Sequence, residues 1–380
     1  MTAQRVVIVG GGVVGTMHAL EACQRGWDVV HLEGDADPRR ASVRNLGLVW
    51  VSGRAPGPEL TLALRARVLW QQLASHSPEI GFRSDGSLTV ATNEDELALM
   101  EELAGQPEAT DRKLEVVDAD GVEKLNPALR GLTVGGLLCR RDAIIEPTDV
   151  LASLRKTLEA TGHYWWVPGH HVVDVVPAAA GGEPAAVDHL GGSYSASLVL
   201  LCIGDRHTTL GGRVGATLSA APLRRCRLHV METVPSPEQL TTAVADADTM
   251  RYYPAYDLPG RAALPPPRTE TVEHGMQLLM VQRASGGLTI GDTHDYDEPF
   301  DYAVDEAIYD RLRERAEAIL GWRLPHVTRR WAGTYSVTTD EQLFYRQWVD
   351  SGICIITGQA GRGMTLSPAI AEETWDAIGA

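Results

Sequence analysis

The sequence predicts an α/β fold in which a Rossmann-type, dinucleotide-binding domain is interleaved with an α+β domain built on an antiparallel sheet. Three observations predict it. The chain opens on VVIVGGGVVG (Val6–Gly15), a β-branched apolar run that enters a glycine-rich turn. A second apolar run, Leu198–Ile203, ends on Gly204, and a third, GICIITG (Gly352–Gly358), feeds the loop GQAGRGMTLS. Runs of this kind, apolar throughout and closed by glycine, are what strands buried on both faces of a parallel sheet require. They occur at the start, middle and end of the chain, with antiparallel material between them. The expected partition is therefore 1–80, 146–218 and 326–380 for the dinucleotide domain and 81–145 and 219–325 for the other.

In the first element, Gly10, Gly12 and Gly15 fit G-x-G-x-x-G. The first glycine permits the turn, the second lets a diphosphate approach the backbone, and the third lets helix pack on strand. Val13 and Val14 open the helix, whose N-terminal N–H groups and dipole face the diphosphate. This helix carries Met17, Ala19, Leu20 and Cys23 and ends near Gly26. A strand over Trp27–Leu32 then leads to Glu33, at the spacing where an acid accepts from a ribose hydroxyl. After the polar loop GDADPRRASVRNLGLVW, Thr61–Ser75 has helical periodicity, Gly86–Thr92 reads as a strand and Glu94–Leu103 as a helix. DADGVEKLNPAL is a capped helix stopped by Pro127; a further helix starts at Thr148 or Asp149 after the turn at Pro147. Arg224–Glu232, Met276–Arg283 and Gly287–Gly291 read as antiparallel strands, LPGRAALPPPRTE as a surface loop, and Asp305–Leu320 as an amphipathic helix. The closing helix is expected from Thr365 or Ser367.

The net charge of −16 over 380 residues argues against non-specific nucleic-acid binding. No apolar run is long enough to cross a membrane, and the first strand begins too early for a signal peptide, so a cytoplasmic location is expected. The five cysteines (Cys23, Cys139, Cys202, Cys226 and Cys354) are scattered without metal-type spacing and are expected to be reduced thiols. No metal site is expected.

Nearly end to end, the chain resembles the glycine oxidase and monomeric sarcosine oxidase branch of the D-amino-acid oxidase superfamily. GGGVVG with Glu33, ASVRNLG, LVLLCIG, GLTIGDTH, WAGTYSVTTDEQ and GQAGRGMTLS carry the likeness. Within that branch SVRNLGLVW, GDTHDY and GRGMTLSPAIAEE look similar to a subgroup associated with phosphonate metabolism. The resemblance implies bound FAD. It places cofactor contacts at Ser42, Arg44 and Asn45 in the flavin loop, at the Val173 backbone near adenine, and at Cys202 and Gly204. Further contacts are implied at Gly333 and at Gly361, Gly363, Met364 and Thr365, where the helix dipole would face the flavin ring.

Three departures bear on function. Sarcosine oxidases carry a flavin-bonded cysteine near GTY, and Gly333 stands there, so the FAD is expected to be non-covalent. Glycine oxidase has a carboxylate-gripping arginine where this chain has Tyr335, a phenol that cannot make the bidentate charged pair. Thr289 occupies the position of the sarcosine oxidase lysine that assists electron transfer to dioxygen. Dioxygen or another acceptor therefore stays open.

The expected activity is FAD-dependent oxidation of a small amine, an aminoalkylphosphonate or N-methylated analogue, with imine hydrolysis and no essential general base. Candidate substrate contacts are Tyr335, His294, Tyr253, Trp50 and Arg330. Arg329 and Arg330 alternate on a strand, so at most one of them can reach the substrate. His170–His171 precedes VVDVV, with no ligating role expected. A flavin 2-hydroxy-acid dehydrogenase using His294 as base, or a flavin-binding subunit of a heteromeric complex, are the alternatives. Oligomeric state is left open.

Overall fold

The computed structural model describes residues 4–207, 209–301 and 303–379. Its first sheet has six strands, in the order Tyr345–Asp350, Ile353–Thr357, Leu198–Leu201, Arg5–Val9, Asp28–Glu33 and Tyr164–Pro168. All neighbours are parallel except the Tyr345–Asp350 edge, and Ile8 lies between Leu200 and His31. The three central runs are buried almost throughout because helices cover both faces. On one face pack the helices Val13–Gln24, Val150–Glu159 and Gly363–Ile378. There Trp27 and Trp375 meet edge to face at 5.1 Å, and Trp375 Nε1 donates to the His18 carbonyl at 3.1 Å. The other face is covered by a three-stranded antiparallel sheet (Val172–Val176, Ala185–Asp188, Ser193–Ser195) and the helix Gly212–Ser219.

The second sheet has eight strands, in the order Val327–Thr338, Leu223–Pro235, Gly287–Gly291, Leu279–Gln282, Ala243–Ala245, Ser87–Ala91, Gly135–Cys139 and Leu114–Asp118. Only the Ala243–Ala245 and Ser87–Ala91 pair is parallel. The helix Glu306–Leu320 buries Ile308, Tyr309, Leu312, Ala316, Ile319 and Leu320 on one face of it. Its N-cap, Asp305, accepts from the Ala307 N–H at 2.9 Å. The helix Glu94–Ala104 covers the other face together with Trp50, Tyr253 and Tyr256.

Several expectations shift. Val327–Thr338 does not belong to the dinucleotide sheet, as its place in 326–380 implied. It pairs with Leu223–Pro235 over almost its whole length, and that long-range ladder decides its sheet. The closing helix begins at Gly363, two residues before Thr365, after a single 3₁₀ turn over Ala360–Arg362. The proline-rich loop is partly wound, with a 3₁₀ turn at Pro259–Ala263. Met276–Arg283 shortens to Leu279–Gln282, and Glu33 is the last residue of its strand rather than the first beyond it. No described helix is long and apolar enough to cross a membrane.

Candidate active site

The glycine turn shows why side chains are excluded from it. Gly10 has φ +106°, and a Cβ there would sit 2.2 Å from the Cys202 carbonyl oxygen. A Cβ on Gly15 would lie 2.0 Å from the Gly10 carbonyl oxygen, so this residue sets how closely helix approaches strand. At Gly12 a Cβ would come within 3.0 Å of Ser42 Oγ, which itself accepts from the Val13 N–H at 3.0 Å. Glu33 takes the Gly11 N–H at 2.8 Å and the Asp35 N–H at 2.9 Å, which fixes its carboxylate beside the turn. Beneath it, buried His31 donates from Nε2 to the Gly10 carbonyl at 2.9 Å and accepts at Nδ1 from the Tyr164 hydroxyl at 2.9 Å. Burial lowers His31 to about 4, helped by neighbouring Arg155, so the ring stays neutral.

From this turn a cavity of about 470 Å³ runs between the two sheets, within the range of small-molecule sites. Gly10, Gly12, Val13, Val14, Glu33, Ser42, Arg44, Asn45, Cys202, Gly204, Gly333, Gly361, Gly363 and Met364 line it, as do Trp50, Tyr253, His294 and Tyr335. Arg44 bridges to the second sheet: its Nη1 donates to the Ala332 carbonyl at 2.9 Å, and its carbonyl accepts from Trp331 Nε1 at 2.9 Å. Asn45 spends its side chain folding the loop, on Ala41, Ser42 and Gly47.

Four expected contacts lie elsewhere. Gly15 sits behind the turn, as helix–strand packing requires. The Val173 carbonyl is taken by the Gly211 N–H at 2.9 Å, and it is Val172 that reaches the cavity wall. Thr365 lies behind the wall, its Oγ1 accepting from the Trp50 N–H at 2.9 Å. Arg330 turns away from the cavity, because Glu306 pairs with it at 3.2 Å and the Tyr309 ring lies beneath it. Arg329 faces Glu232, so neither arginine of that pair reaches the cavity.

The substrate end is an aromatic wall. Trp50 and Tyr253 lie 5.8 Å apart, Tyr252 contacts Tyr253 at 5.1 Å, and Tyr252 stacks on His294 at 4.1 Å. Buried polar atoms here lack partners: Trp50 Nε1, Gln277 Oε1, Tyr335 Oη and Gln359 Nε2. Unmet buried donors and acceptors are costly, so their concentration on one cavity marks where a polar ligand sits. Burial pushes the Tyr335 and Tyr253 phenols up, which keeps both as O–H donors. His294 Nδ1 donates to the Gly275 carbonyl at 3.1 Å, which fixes the ring against the cavity wall.

Sequence reasoning missed Asp292, Gln277, Arg54, Glu59, Arg362 and Gln359, all of which line the cavity. Asp292 accepts from Gln277 Nε2 at 3.2 Å, and burial raises its carboxyl above the ordinary value, against the pull of nearby His294. Such a group can take up a proton near the cavity. Arg54 and Glu59 sit in SGRAPGPEL, where glycine, proline and charge read as exposed loop, yet both are buried. The signal available was the arginine's position four residues after Trp50.

Residues 5–377 match the family model described as FAD dependent oxidoreductase. The chain is 26% identical over 248 residues to one subunit of the opine oxidase of Agrobacterium tumefaciens, covering 60% of this chain and 62% of that one. It is 25% identical over 249 residues to glycine oxidase of Geobacillus kaustophilus, covering 63% and 64%. The corresponding opine oxidase subunit of Rhizobium meliloti matches at 28% over 46% of this chain, which spans half (50%) of that relative's length. The crystal structure of the Geobacillus kaustophilus glycine oxidase superposes with TM-score 0.79 at 20% identity, covering 99% of this chain and 95% of the other. L-proline dehydrogenase from P. horikoshii also gives 0.79, at 15% identity over 99% and 93%. At these identities the superpositions speak for the fold.

Proposed function

The chain belongs to the FAD dependent oxidoreductase family, and from that premise we propose that it oxidises a small amine bearing an anionic group, preferentially an aminoalkylphosphonate or its N-methyl derivative. FAD supplies the two-electron acceptor that turns the amine into an imine, which water hydrolyses to a carbonyl product and ammonia or a shorter amine. The chain's own residues fit that cofactor. The Gly10–Gly12 turn offers backbone at close range, Glu33 an acceptor for a ribose hydroxyl, and Gly361–Met364 the open start of the last helix. Gly333 supports non-covalent binding, since it offers no nucleophile where the resembling sarcosine oxidases carry cysteine.

The observation that carries the substrate reading is the set of unpartnered donors, Trp50 Nε1, Tyr335 Oη and Gln359 Nε2, around an aromatic wall. Dispersed single donors suit a tetrahedral, up to doubly charged group better than a planar carboxylate, which prefers one fork. The name of one similar protein, glycine oxidase, supports an amine as the substrate class. Asp292 lines the same cavity, and the burial that raises its carboxyl above the ordinary value supports a part for it in taking the proton of an arriving ammonium. The place of His294 on the cavity wall also favours a second reading, oxidation of a hydroxy acid with His294 as base.

The test is anaerobic bleaching of the bound flavin by 2-aminoethylphosphonate and its N-methyl form, beside β-alanine, sarcosine and 2-hydroxyethylphosphonate. Bleaching is expected to be fastest with an aminophosphonate. A win for the carboxylates refutes the phosphonate preference, and a win for the alcohol refutes amine oxidation. No bleaching from the single chain favours a role within a heteromeric complex, as the likeness to opine oxidase subunits suggests.

A further inference from the structure

The geometry assigns the substrate's anionic group to Arg54, supported by Arg362 across the shared carboxylate of Glu59; this deepens the amine-oxidation reading and rests on it for the identity of the ligand.

Arg54 is only 5% exposed and is held in one pose. Its Nε donates to the Trp50 carbonyl at 2.8 Å, and its guanidinium carbon stands 5.8 Å from the Tyr253 ring centre. Nη1 faces Glu59 Oε1 at 3.4 Å, and Nη2 has no protein partner among the described residues. Arg362 approaches the same Oε1 with its own Nη1 at 3.5 Å. The other Glu59 oxygen is taken by the Ala55 N–H at 3.0 Å. Both arginine contacts are longer than the 2.7–2.9 Å typical of charge-assisted bonds, so neither guanidinium is saturated.

Two guanidiniums sharing one carboxylate leave one positive charge in excess on the cavity wall, next to the nearly buried Arg54. A buried, unpaired charge is costly, and an incoming anion would relieve it. The donors available to that anion lie in the same neighbourhood. Trp50 Nε1 is unpartnered on the residue whose carbonyl holds Arg54, and Gln359 Nε2 on the residue whose carbonyl accepts from Arg362 Nε at 3.3 Å. Tyr335 Oη would lie 3.6 Å from a Cβ on Gly361, next to Arg362. A carboxylate, Asp292, lines the same cavity with His294. A substrate with an amine at one end and an anion at the other is therefore oriented by charge, anion to Arg54 and nitrogen towards Asp292.

The test uses FAD-loaded protein and non-reacting anions, so it does not depend on turnover. Methylphosphonate and acetate are titrated into wild type, R54Q and R362Q, and binding is read from the shift of the flavin's visible absorption. Wild type is expected to bind methylphosphonate more tightly than acetate. R54Q should weaken methylphosphonate binding by about 30- to several-thousand-fold, the range for breaking a buried charged contact. R362Q, at a more exposed position, should show a smaller loss in the same direction. FAD content should match wild type in both. If R54Q does not fold, R54K serves: it keeps the charge, loses the Nε bond to the Trp50 carbonyl that holds the group in one pose, and should still weaken methylphosphonate binding. Unchanged anion binding in R54Q or R54K, no anion response in wild type, or loss of FAD in step with loss of Arg54 would each overturn the assignment, the last by giving the arginine to the cofactor. Anion binding that depends on Arg54, in a protein whose flavin no amine reduces, would keep the clamp and overturn only the amine reading.

Discussion

Acid should weaken this protein through two buried histidines, one beneath the glycine turn and one on the helix that follows it. His31 is fully buried under Gly10, and its hydrogen bonds fix its tautomer: Nε2 donates to the Gly10 carbonyl and Nδ1 accepts from Tyr164. A second proton at Nδ1 would leave the Tyr164 hydroxyl without its acceptor and place a charge where no water reaches. Burial accordingly lowers His31 from 6.5 to about 4, and does the same to His18 on the adjoining helix. With the folded value below the unfolded one, the unfolded chain binds more protons between those limits. The stabilising contribution is complete above pH 6.5 and is lost as pH falls towards 4. Between pH 7 and pH 5 the loss is about 2 kcal/mol for each histidine, or about 4 kcal/mol for the two. His31→Gln keeps a donor near the Gly10 carbonyl but cannot titrate in this range. Urea unfolding at saturating FAD, at pH 7 and pH 5, should show wild type losing about 2 kcal/mol more than the variant. Parallel pH dependence in the two proteins would refute the assignment, whatever their absolute stabilities.

Glu33→Lys removes the carboxylate that accepts from the Gly11 and Asp35 N–H groups; FAD released by acid precipitation should fall below one per chain, and full occupancy would remove Glu33 from the cofactor site. Asp292→Asn should have two effects. Burial raises the Asp292 carboxyl above its ordinary 3.8, so its contribution is present below that pH and is lost as pH rises through the folded value. The asparagine variant should lack that dependence and be at least as stable as wild type at pH 7. Its flavin reduction by an amine should shift to higher pH, because the substrate then loses its proton to solvent; an unshifted profile would show that Asp292 takes no proton.

What can be read from the sequence is what local backbone physics dictates. A β-branched run followed by glycines at fixed spacing leaves few conformations, and Gly10 and Gly15 admit no side chain because backbone oxygens lie about where a Cβ would go. The residues that escape notice are those whose environment is made by distant chain. Arg54 and Glu59 look like loop charges until Arg362, some three hundred positions later, is brought against them. Arg330 looks available because Glu306, on a helix from another part of the chain, cannot be paired with it by spacing. Val327–Thr338 lies in the other sheet for the same reason, since its partner strand is about a hundred residues upstream.

These distant pairings also account for the missing arginine at position 335. Tyr335 and Arg54 line the same cavity from different parts of the fold, so in the proposed clamp the charge would come from the loop after Trp50 rather than from the strand. A guanidinium held by Trp50 and Glu59 cannot turn its whole fork to a carboxylate, because Nε and Nη1 are engaged and only Nη2 is free. A single charged donor then needs neighbours to complete the contact, and Trp50 Nε1, Tyr335 Oη and Gln359 Nε2 supply them from separate directions. A planar carboxylate has two oxygens in one plane, whereas a phosphonate presents three around a tetrahedral centre and carries more charge against the surplus on Arg54 and Arg362. Under the proposed reading, Tyr335 on the strand and the buried Arg54 would together favour a phosphonate over the simple amino acids.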